Sequence, residues 1–208
     1  MLEESPSTSL WLDRSRRGDP TALAELFNQY RSRLKQMVQF RLDRNVAARV
    51  DASDVLQEVY LDVCQQIESY LEKPQVCFYV WLRGLTGERL LKLQRRHRTA
   101  QCRAVGRELP LPAEASSLLA AKVLAAVSSP SSALRRKELR ERLQDALAKL
   151  GAEDREVILM RDFEDMSNNE MAETLGLSAS AATMRYGRAL IRLKKILEAD
   201  WPAGESKP

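Results

Sequence analysis

Three arginines in the last third of the chain have the type and spacing for recognition of nucleic acid. Arg185, Arg188 and Arg192 lie in a long segment of helical periodicity, which follows a shorter helical segment and a Leu-Gly-Leu-Ser turn at 175–178. A guanidinium group can donate two hydrogen bonds to a guanine edge or pair with a backbone phosphate. A short helix, a tight turn and a basic second helix are typical of a helix-turn-helix, whose second helix can enter the DNA major groove.

The residues around this turn favour the same interpretation. Ser167 and Glu170 have the spacing of a capping box, Ala172 and Gly176 are small where two helices must cross closely, and Ser178 can cap the second helix. We expect the second helix to turn a mostly apolar face inward, formed by Ala182, Tyr186, Ala189, Leu193 and Ile196. The outward residues that we expect to bind DNA are Ser180, Thr183, Met184, Arg185, Arg188 and Arg192.

Within this outward set, the residues have different expected roles. Arg185 has the position for a guanine edge, whereas Ser180, Arg188 and Arg192 are better placed for phosphates, which orient a helix without reading sequence. The alternative is an ordinary helical hairpin with a solvated basic face.

A second candidate site combines aromatic and basic residues. Phe78, Tyr79 and Trp81 precede the basic run 95–98 on one predicted helix. Aromatic rings beside guanidinium groups suit single-stranded or opened DNA, where bases stack on rings and phosphates pair with arginines. For Trp81 alone we favour a place in the hydrophobic core, because a tryptophan at helical spacing more often packs than binds a base. The basic run, in turn, can simply be solvated.

A third candidate site is an acidic helix face formed by Asp54, Gln57, Glu58 and Asp62. Such a face is most often solvated surface. DNA phosphates would repel it, so a macromolecular partner should present a basic protein surface. As a catalytic carboxylate pair it lacks a companion base, nucleophile or metal-ligand cluster.

Composition sets the fold class and excludes several function classes. The chain has 208 residues, with 44% hydrophobic, 30% charged, eight Gly and a formal net charge of +4, which favours an all-α protein with a packed core. Three separated cysteines and one histidine provide no zinc or disulfide framework, and no nucleotide-binding or hydrolase motif is present. We therefore expect no catalytic activity and no cofactor. Without a signal peptide or a long apolar run, we expect a soluble, cytoplasmic protein.

The periodic segments predict two small helical domains joined by a flexible linker. In residues 10–100 we expect helices beginning at Asp19-Pro20 and Asp51, a loop at 72–75 and a third helix from Phe78. Residues 101–132 have the composition of a linker, with a short helix at 118–127 that could dock on a domain. Residues 133–199 form the second domain, whose first helix begins at Pro130 and ends at Gly151.

These elements, in this order, resemble bacterial RNA polymerase sigma factors of the extracytoplasmic-function (ECF) group of the sigma-70 family. The stretch 18–30 resembles their first conserved helix, and 51–59 is similar to their Asp-x-x-Asp-x-x-Gln-Glu stretch. The stretch from 78 to 96 resembles the segment that melts and reads the −10 element, and 155–197 resembles the domain that reads the −35 element. Four ordered motifs with a linker between them are a specific signal, although each one alone is weak.

The resemblance implies a role for each candidate site. Asp54, Gln57, Glu58 and Asp62 would bind core RNA polymerase. The −10 element would be bound by Trp81, Arg89, Lys92, Arg95 and Arg96. The last helix would bind the −35 element in promoter DNA, and an anti-sigma factor is a further partner that the resemblance suggests. Gly187, Thr183 and Met184 depart from the family pattern in that helix, so the −35 sequence does not transfer.

Two other functions remain open at this point. A free-standing helix-turn-helix regulator would use only the C-terminal segment, and would bind an operator tightly without polymerase, as a dimer on a palindrome. A helical adaptor for protein partners would have only incidental basic surfaces. Both leave at least one of the three candidate sites without a function.

Overall fold

The computed structural model describes residues 4–42, 50–100, 142–143 and 145–199, with the side chains of Phe40 and of residues 97–100 left undescribed. Within these residues every regular element is a helix, which confirms the all-α prediction. The chain divides into two compact units, Met1–Gly106 and Arg107–Pro208. The predicted linker 101–132, the short helix at 118–127 and the helix start at Pro130 lie outside the described residues.

The described residues of the first unit form four helices, α1 (Pro6–Arg16), α2 (Ala22–Arg41), α3 (Ala52–Glu72) and α4 (Phe78–Ala100). Helix α2 packs against the other three, and α3 packs against α4. The helices bury their apolar faces together, with fully buried side chains that include Leu26, Leu34, Leu56, Phe78, Tyr79 and Leu82.

Sequence reasoning missed helix α1, although its start carries a recognisable signal. The side chain of Ser5 accepts a hydrogen bond from the backbone N–H of Thr8, and Pro6 occupies the first helical position, where a proline removes no needed donor. The buried Thr8 hydroxyl lies 2.6 Å from the hydroxyl of Tyr30, which ties α1 to α2.

The predicted helix start at Asp19-Pro20 is wrong by two residues. The Asp19 carboxylate accepts hydrogen bonds from the backbone N–H and the hydroxyl of Thr21, at 2.9 and 2.8 Å, and so forms a turn. Helix α2 then begins at Ala22. The hydrogen bonds from Thr21, followed by one from Arg14, lower the pKa of Asp19 to about 2. The predicted start at Asp51 is confirmed, because its carboxylate accepts from the backbone N–H of Ser53.

The second unit contains helical residues at 145–149 followed by α5 (Ala152–Asp162), α6 (Asn168–Leu175) and α7 (Ala179–Ala199). Helix α7 packs against both α5 and α6. Gly151 was expected to end the preceding helix, but it is the N-cap of α5 and has an ordinary negative φ.

The carbonyl groups before Gly151 are satisfied by a side chain of the next helix. The Arg155 guanidinium donates to the carbonyl oxygens of Leu147, Ala148 and Leu150, at 2.8, 2.6 and 3.1 Å. Carbonyls at a helix end lack intrahelical donors, so this arginine serves as their cap and fixes the entry into α5.

Candidate nucleic-acid and protein interfaces

The connection between α6 and α7 has the geometry of a helix-turn-helix. The hydroxyl of Ser167 accepts from the backbone N–H of Glu170 at 3.1 Å, and the Glu170 carboxylate accepts from the backbone N–H of Ser167 at 2.7 Å. This reciprocal pair confirms the predicted capping box. At the start of α7, the hydroxyl of Ser178 accepts from the backbone N–H of Ala181 at 3.2 Å, so the predicted cap at Ser178 is also present.

Gly176 has a different role from the one expected. It ends α6 in the left-handed conformation with φ of 64°, which side chains with a Cβ rarely adopt. A Cβ built on it would meet no atom within 4 Å. The backbone conformation of the turn therefore requires this glycine, and close helix crossing does not. Ala172, in contrast, is buried as expected.

Helix α7 has one buried face and one exposed face. Ala182, Ala189 and Leu193 are buried against α5 and α6, while Tyr186 and Ile196 are half-buried. Of the six residues that we expect to bind DNA, five are exposed: Ser180, Thr183, Met184, Arg188 and Arg192. Arg185 is only half-exposed.

Two of the three arginines of α7 are ion-paired with the start of α5. Arg185 lies 3.4 Å from the Glu153 carboxylate. Arg192 pairs with Asp154, whose side chain is only 13% exposed. Within α7, Arg188 has no ion pair with any residue that the structure describes, so its guanidinium is the one most available to another molecule.

A half-buried tyrosine adds a further link between α5 and α7. The hydroxyl of Tyr186 donates to the Asp162 carboxylate at 3.0 Å. Burial, together with the charge of Asp162, raises the pKa of Tyr186 to about 12. The tyrosine therefore stays neutral and holds the middle of α7 against the end of α5.

The predicted acidic face lies on the outer side of α3. Asp54, Gln57 and Glu58 are exposed, and Asp62 is half-buried. Leu61, on the same helix, is 61% exposed. This surface combines carboxylates, an amide and one apolar side chain, as expected of a surface that binds a basic protein partner.

Arg89 connects the predicted polymerase-binding and DNA-binding residues. Its Nε and Nη2 donate to the two Asp62 oxygens at 2.9 and 2.5 Å, and its Nη1 donates to Glu58 at 3.2 Å. The hydrogen bond to Asp62 and the charges of both carboxylates raise the pKa of Arg89. The side chains of Arg89 and Asp62 are each only 20% exposed. The sequence placed these residues at two separate sites, and the structure brings them together.

The aromatic residues of α4 pack largely in the hydrophobic core. Phe78 and Tyr79 are fully buried, and Trp81 is half-buried. The Trp81 ring stacks on Tyr70, with ring centroids 4.6 Å apart and an interplanar angle of 24°. One face of the indole is therefore covered. Lys92, Arg95 and Arg96, further along α4, are exposed.

Sequence reasoning also missed a role for Glu4. Its carboxylate accepts from the backbone N–H of Phe78 at 2.5 Å and from the hydroxyl of Tyr70 at 3.4 Å. A residue at the start of the chain thus caps the first turn of α4, where backbone N–H groups lack intrahelical acceptors. The separation in sequence, 74 residues for Phe78, leaves no local signal for this contact.

The described residues contain no group of three or more His, Cys, Asp or Glu side chains that could hold a metal ion. In the same part of the chain, no helix combines the length and the apolar character needed to cross a membrane.

Comparison with known proteins agrees with this geometry. Residues 140–193 match the family described as "Sigma-70, region 4". The chain is similar to the ECF RNA polymerase sigma-E factor of Haemophilus influenzae, with 24% identity over 91% of this chain and 94% of that protein. It is also similar to the RNA polymerase sigma factor CarQ of Myxococcus xanthus, with 27% identity over 89% of this chain and 95% of that protein.

The fold has a counterpart among solved structures. A structure of CnrH in complex with the cytosolic domain of CnrY covers 94% of this chain and 99% of that chain, with a TM-score of 0.56 at 21% identity. The region 4 match lies on the helix-turn-helix, and the relatives align along almost the whole sequence. Residues 140–193 thus belong to a sigma-70 region 4 domain, and the chain along most of its length is similar to sigma factors of the ECF group.

Proposed function

We propose that this protein binds core RNA polymerase and directs promoter-specific transcription initiation by recognising −10 and −35 elements. The observation that carries the proposal is the capped helix-turn-helix of α6 and α7, which lies inside the segment that matches sigma-70 region 4. Such a factor selects promoters and has no catalytic activity of its own, and it acts in the cytoplasm, where the polymerase is.

The −35 element is contacted by the exposed face of α7. Ser180, Thr183 and Met184 lie near its N-terminal end, the part of a recognition helix that meets base edges. Arg188 is the stronger candidate for a base or phosphate contact, because Arg185 is already paired with Glu153. Arg185 and Arg192 would first exchange their carboxylate partners for DNA, which lowers their net contribution.

Core polymerase is contacted by the outer face of α3. Asp54, Gln57 and Glu58 are exposed and form a row along one side of this helix. Asp62 contributes mainly through its bond to Arg89, which fixes α3 against α4. Complementary charge speeds encounter with a basic surface and selects against DNA on this face.

The −10 element is contacted by the second half of α4. Lys92, Arg95 and Arg96 provide exposed positive charge for the phosphates of opened DNA. Trp81 has one ring face on Tyr70, so a base would have to stack on the opposite face. Arg89 makes a smaller contribution to DNA binding than its position on α4 suggested.

The two domains proposed for these contacts are 10–100 and 133–199, with 101–132 as a tether. A tether makes the second promoter contact effectively intramolecular once the first has formed. A regulatory protein that covers these surfaces is a further expected partner; the similar protein CnrH has been solved with the cytosolic domain of CnrY.

The test is reconstitution of the full chain with core polymerase from the same organism. We expect co-purification with the core enzyme and run-off transcripts that start at defined promoters. Replacing Asp54 with lysine should weaken association with core polymerase. The matched control is Glu68→Lys, which changes another exposed residue of α3 about 20 Å further along the helix.

Two results would contradict this function. No association between the full chain and core polymerase would exclude it. Tight binding of the chain alone to a palindromic operator would instead indicate a free-standing regulator.

A further inference from the structure

The proposed recognition helix exposes two large apolar side chains. Met184 and Ile191 of α7 are 57% and 58% exposed, although the helix has a buried face of its own. They are seven residues apart, which is nearly two helical turns, so they lie on the same side of the helix. Single exposed apolar residues are common on protein surfaces. These two, however, lie among the polar and basic residues of the proposed DNA-binding face.

Met184 lies at the end of α7 that meets base edges in a helix-turn-helix. It is near the N-terminus of the helix, one turn after Ser180 and one turn before Arg188, both of which are exposed. Ile191 lies about 10 Å further towards the C-terminus. Of the two apolar residues, only Met184 is therefore well placed to enter a major groove.

The polar groups beside Met184 each have a partner within the protein. The Thr183 hydroxyl donates to the carbonyl oxygen of Ala179 at 2.9 Å, and the Ser180 hydroxyl lies 3.1 Å from that of Ser178. Arg185 is paired with Glu153. Met184, which is 57% exposed, is thus the large exposed side chain at this end of α7, and its thioether donates no hydrogen bond.

The major-groove edges of the four base pairs carry one apolar group, the C5-methyl of thymine. We infer that Met184 is a specificity-determining residue that packs against the C5-methyl of a thymine in the −35 element. This inference rests on the proposed function. The unbranched, flexible methionine side chain can adapt to a methyl group at the groove edge, while Arg188, one turn later, binds the adjoining backbone or base.

The test removes one methyl group at a time from the DNA. The probe is a promoter duplex identified by mapping transcripts of the reconstituted holoenzyme. Each thymine of its −35 region is replaced in turn by uracil, which lacks only the C5-methyl. With the unchanged protein, one such replacement should weaken holoenzyme binding about fourfold, the factor expected for one buried methyl group.

Three variants assign that loss to a residue. Holoenzyme with Met184→Ala should bind two duplexes equally well: the one with thymine at the sensitive position and the one with uracil there. With Met184→Leu, which retains an apolar side chain, the preference for thymine should persist. Ile191→Ala is the matched control, because it removes an equally exposed apolar side chain and should leave the fourfold preference intact.

Each other outcome overturns the inference. If no replacement changes binding, or if the thymine preference survives in Met184→Ala, Met184 does not read a methyl group. If Met184→Ala weakens binding of both duplexes by the same factor, so that the fourfold preference for thymine is retained, the residue contacts a protein or the DNA backbone. In these cases promoter-specific transcription by the unchanged protein would still support the proposed function. A lack of promoter-specific transcripts would overturn both.

Discussion

Replacement of Arg89 by glutamine separates two explanations for a basic residue on α4, the helix that we propose to bind the −10 element. In the structure, Arg89 donates two hydrogen bonds to Asp62 and one to Glu58, and its side chain is 20% exposed. If this pairing persists in the promoter complex, Arg89 is a structural link between α3 and α4. If Arg89 leaves its carboxylates to bind DNA, it is a phosphate contact.

The two explanations predict different magnitudes. Loss of a mostly buried, charge-assisted pair should lower the free energy of unfolding of this unit by about 1–3 kcal/mol. If Arg89 is a structural link, its replacement removes no phosphate contact, so the dependence of log K for DNA binding on log salt concentration should not change. A residue that does contact a phosphate contributes about 0.7–0.9 to that slope.

The matched control is Lys92→Gln, three residues along the same helix. Lys92 is exposed, so its removal should change stability by less than about 0.5 kcal/mol. If Lys92 contacts a phosphate, the same replacement should lower the salt slope by about 0.7–0.9. Stability is measured by native-state hydrogen exchange of the α3 and α4 amides in the full chain, and the slope by holoenzyme binding to promoter DNA at several salt concentrations.

One result would refute the structural explanation. If Arg89→Gln lowers the salt slope as much as Lys92→Gln does and leaves hydrogen exchange unchanged, Arg89 binds a phosphate in the complex. The ion pair between Arg89 and Asp62 would then be present only in protein that is not bound to DNA.

Three further predictions concern the second unit. Gly187→Ala should raise its stability by about 1 kcal/mol, measured by hydrogen exchange of α7, because this glycine lies inside a helix and a Cβ would meet no atom within 4 Å. Arg155→Lys should lower stability by about 2 kcal/mol in the same measurement, because an ammonium group cannot reproduce three hydrogen bonds to carbonyl oxygens; an unchanged value would show that these carbonyls are satisfied in another way. The pKa of Tyr186 is raised from 10.0 to about 12, so the folded state keeps a proton that the unfolded chain loses. Stability should therefore fall between about pH 10 and 12, and Tyr186→Phe should flatten that part of an alkaline unfolding curve.

Local signals in the sequence predicted most of the helix boundaries. The capping box at Ser167 and Glu170, the cap at Asp51 and the turn before α7 each depend on residues no more than a few positions apart. The inward face of α7 followed from helical periodicity, and Ala182, Ala189 and Leu193 are buried as expected. Helix α1 was missed although it begins with a local signal, a Ser cap followed by Pro at the first helical position, because its apolar pattern is weak.

Contacts between distant segments could not be predicted in this way. The hydrogen bond from the Phe78 N–H to Glu4 and the pairs that Arg185 and Arg89 form with acidic residues all depend on how helices pack. The sequence shows the charge of each residue but not which opposite charge lies beside it. Gly176 is a related case, because a glycine that allows close packing and one that allows a positive φ look the same in sequence.

The pairing of Arg89 with Asp62 changes how the charge pattern of the first unit should be interpreted. An acidic stretch and a basic stretch suggested two surfaces with two independent partners. In the structure, the charges nearest the α3–α4 contact neutralise one another, and more distant charges remain exposed: Asp54 on one side, Lys92 and Arg95 on the other. A partner that binds one of these surfaces therefore meets a helix already fixed to the other helix by a partly buried ion pair. Because such a pair resists separation, polymerase bound to α3 would also hold α4 in a defined orientation toward the opened DNA.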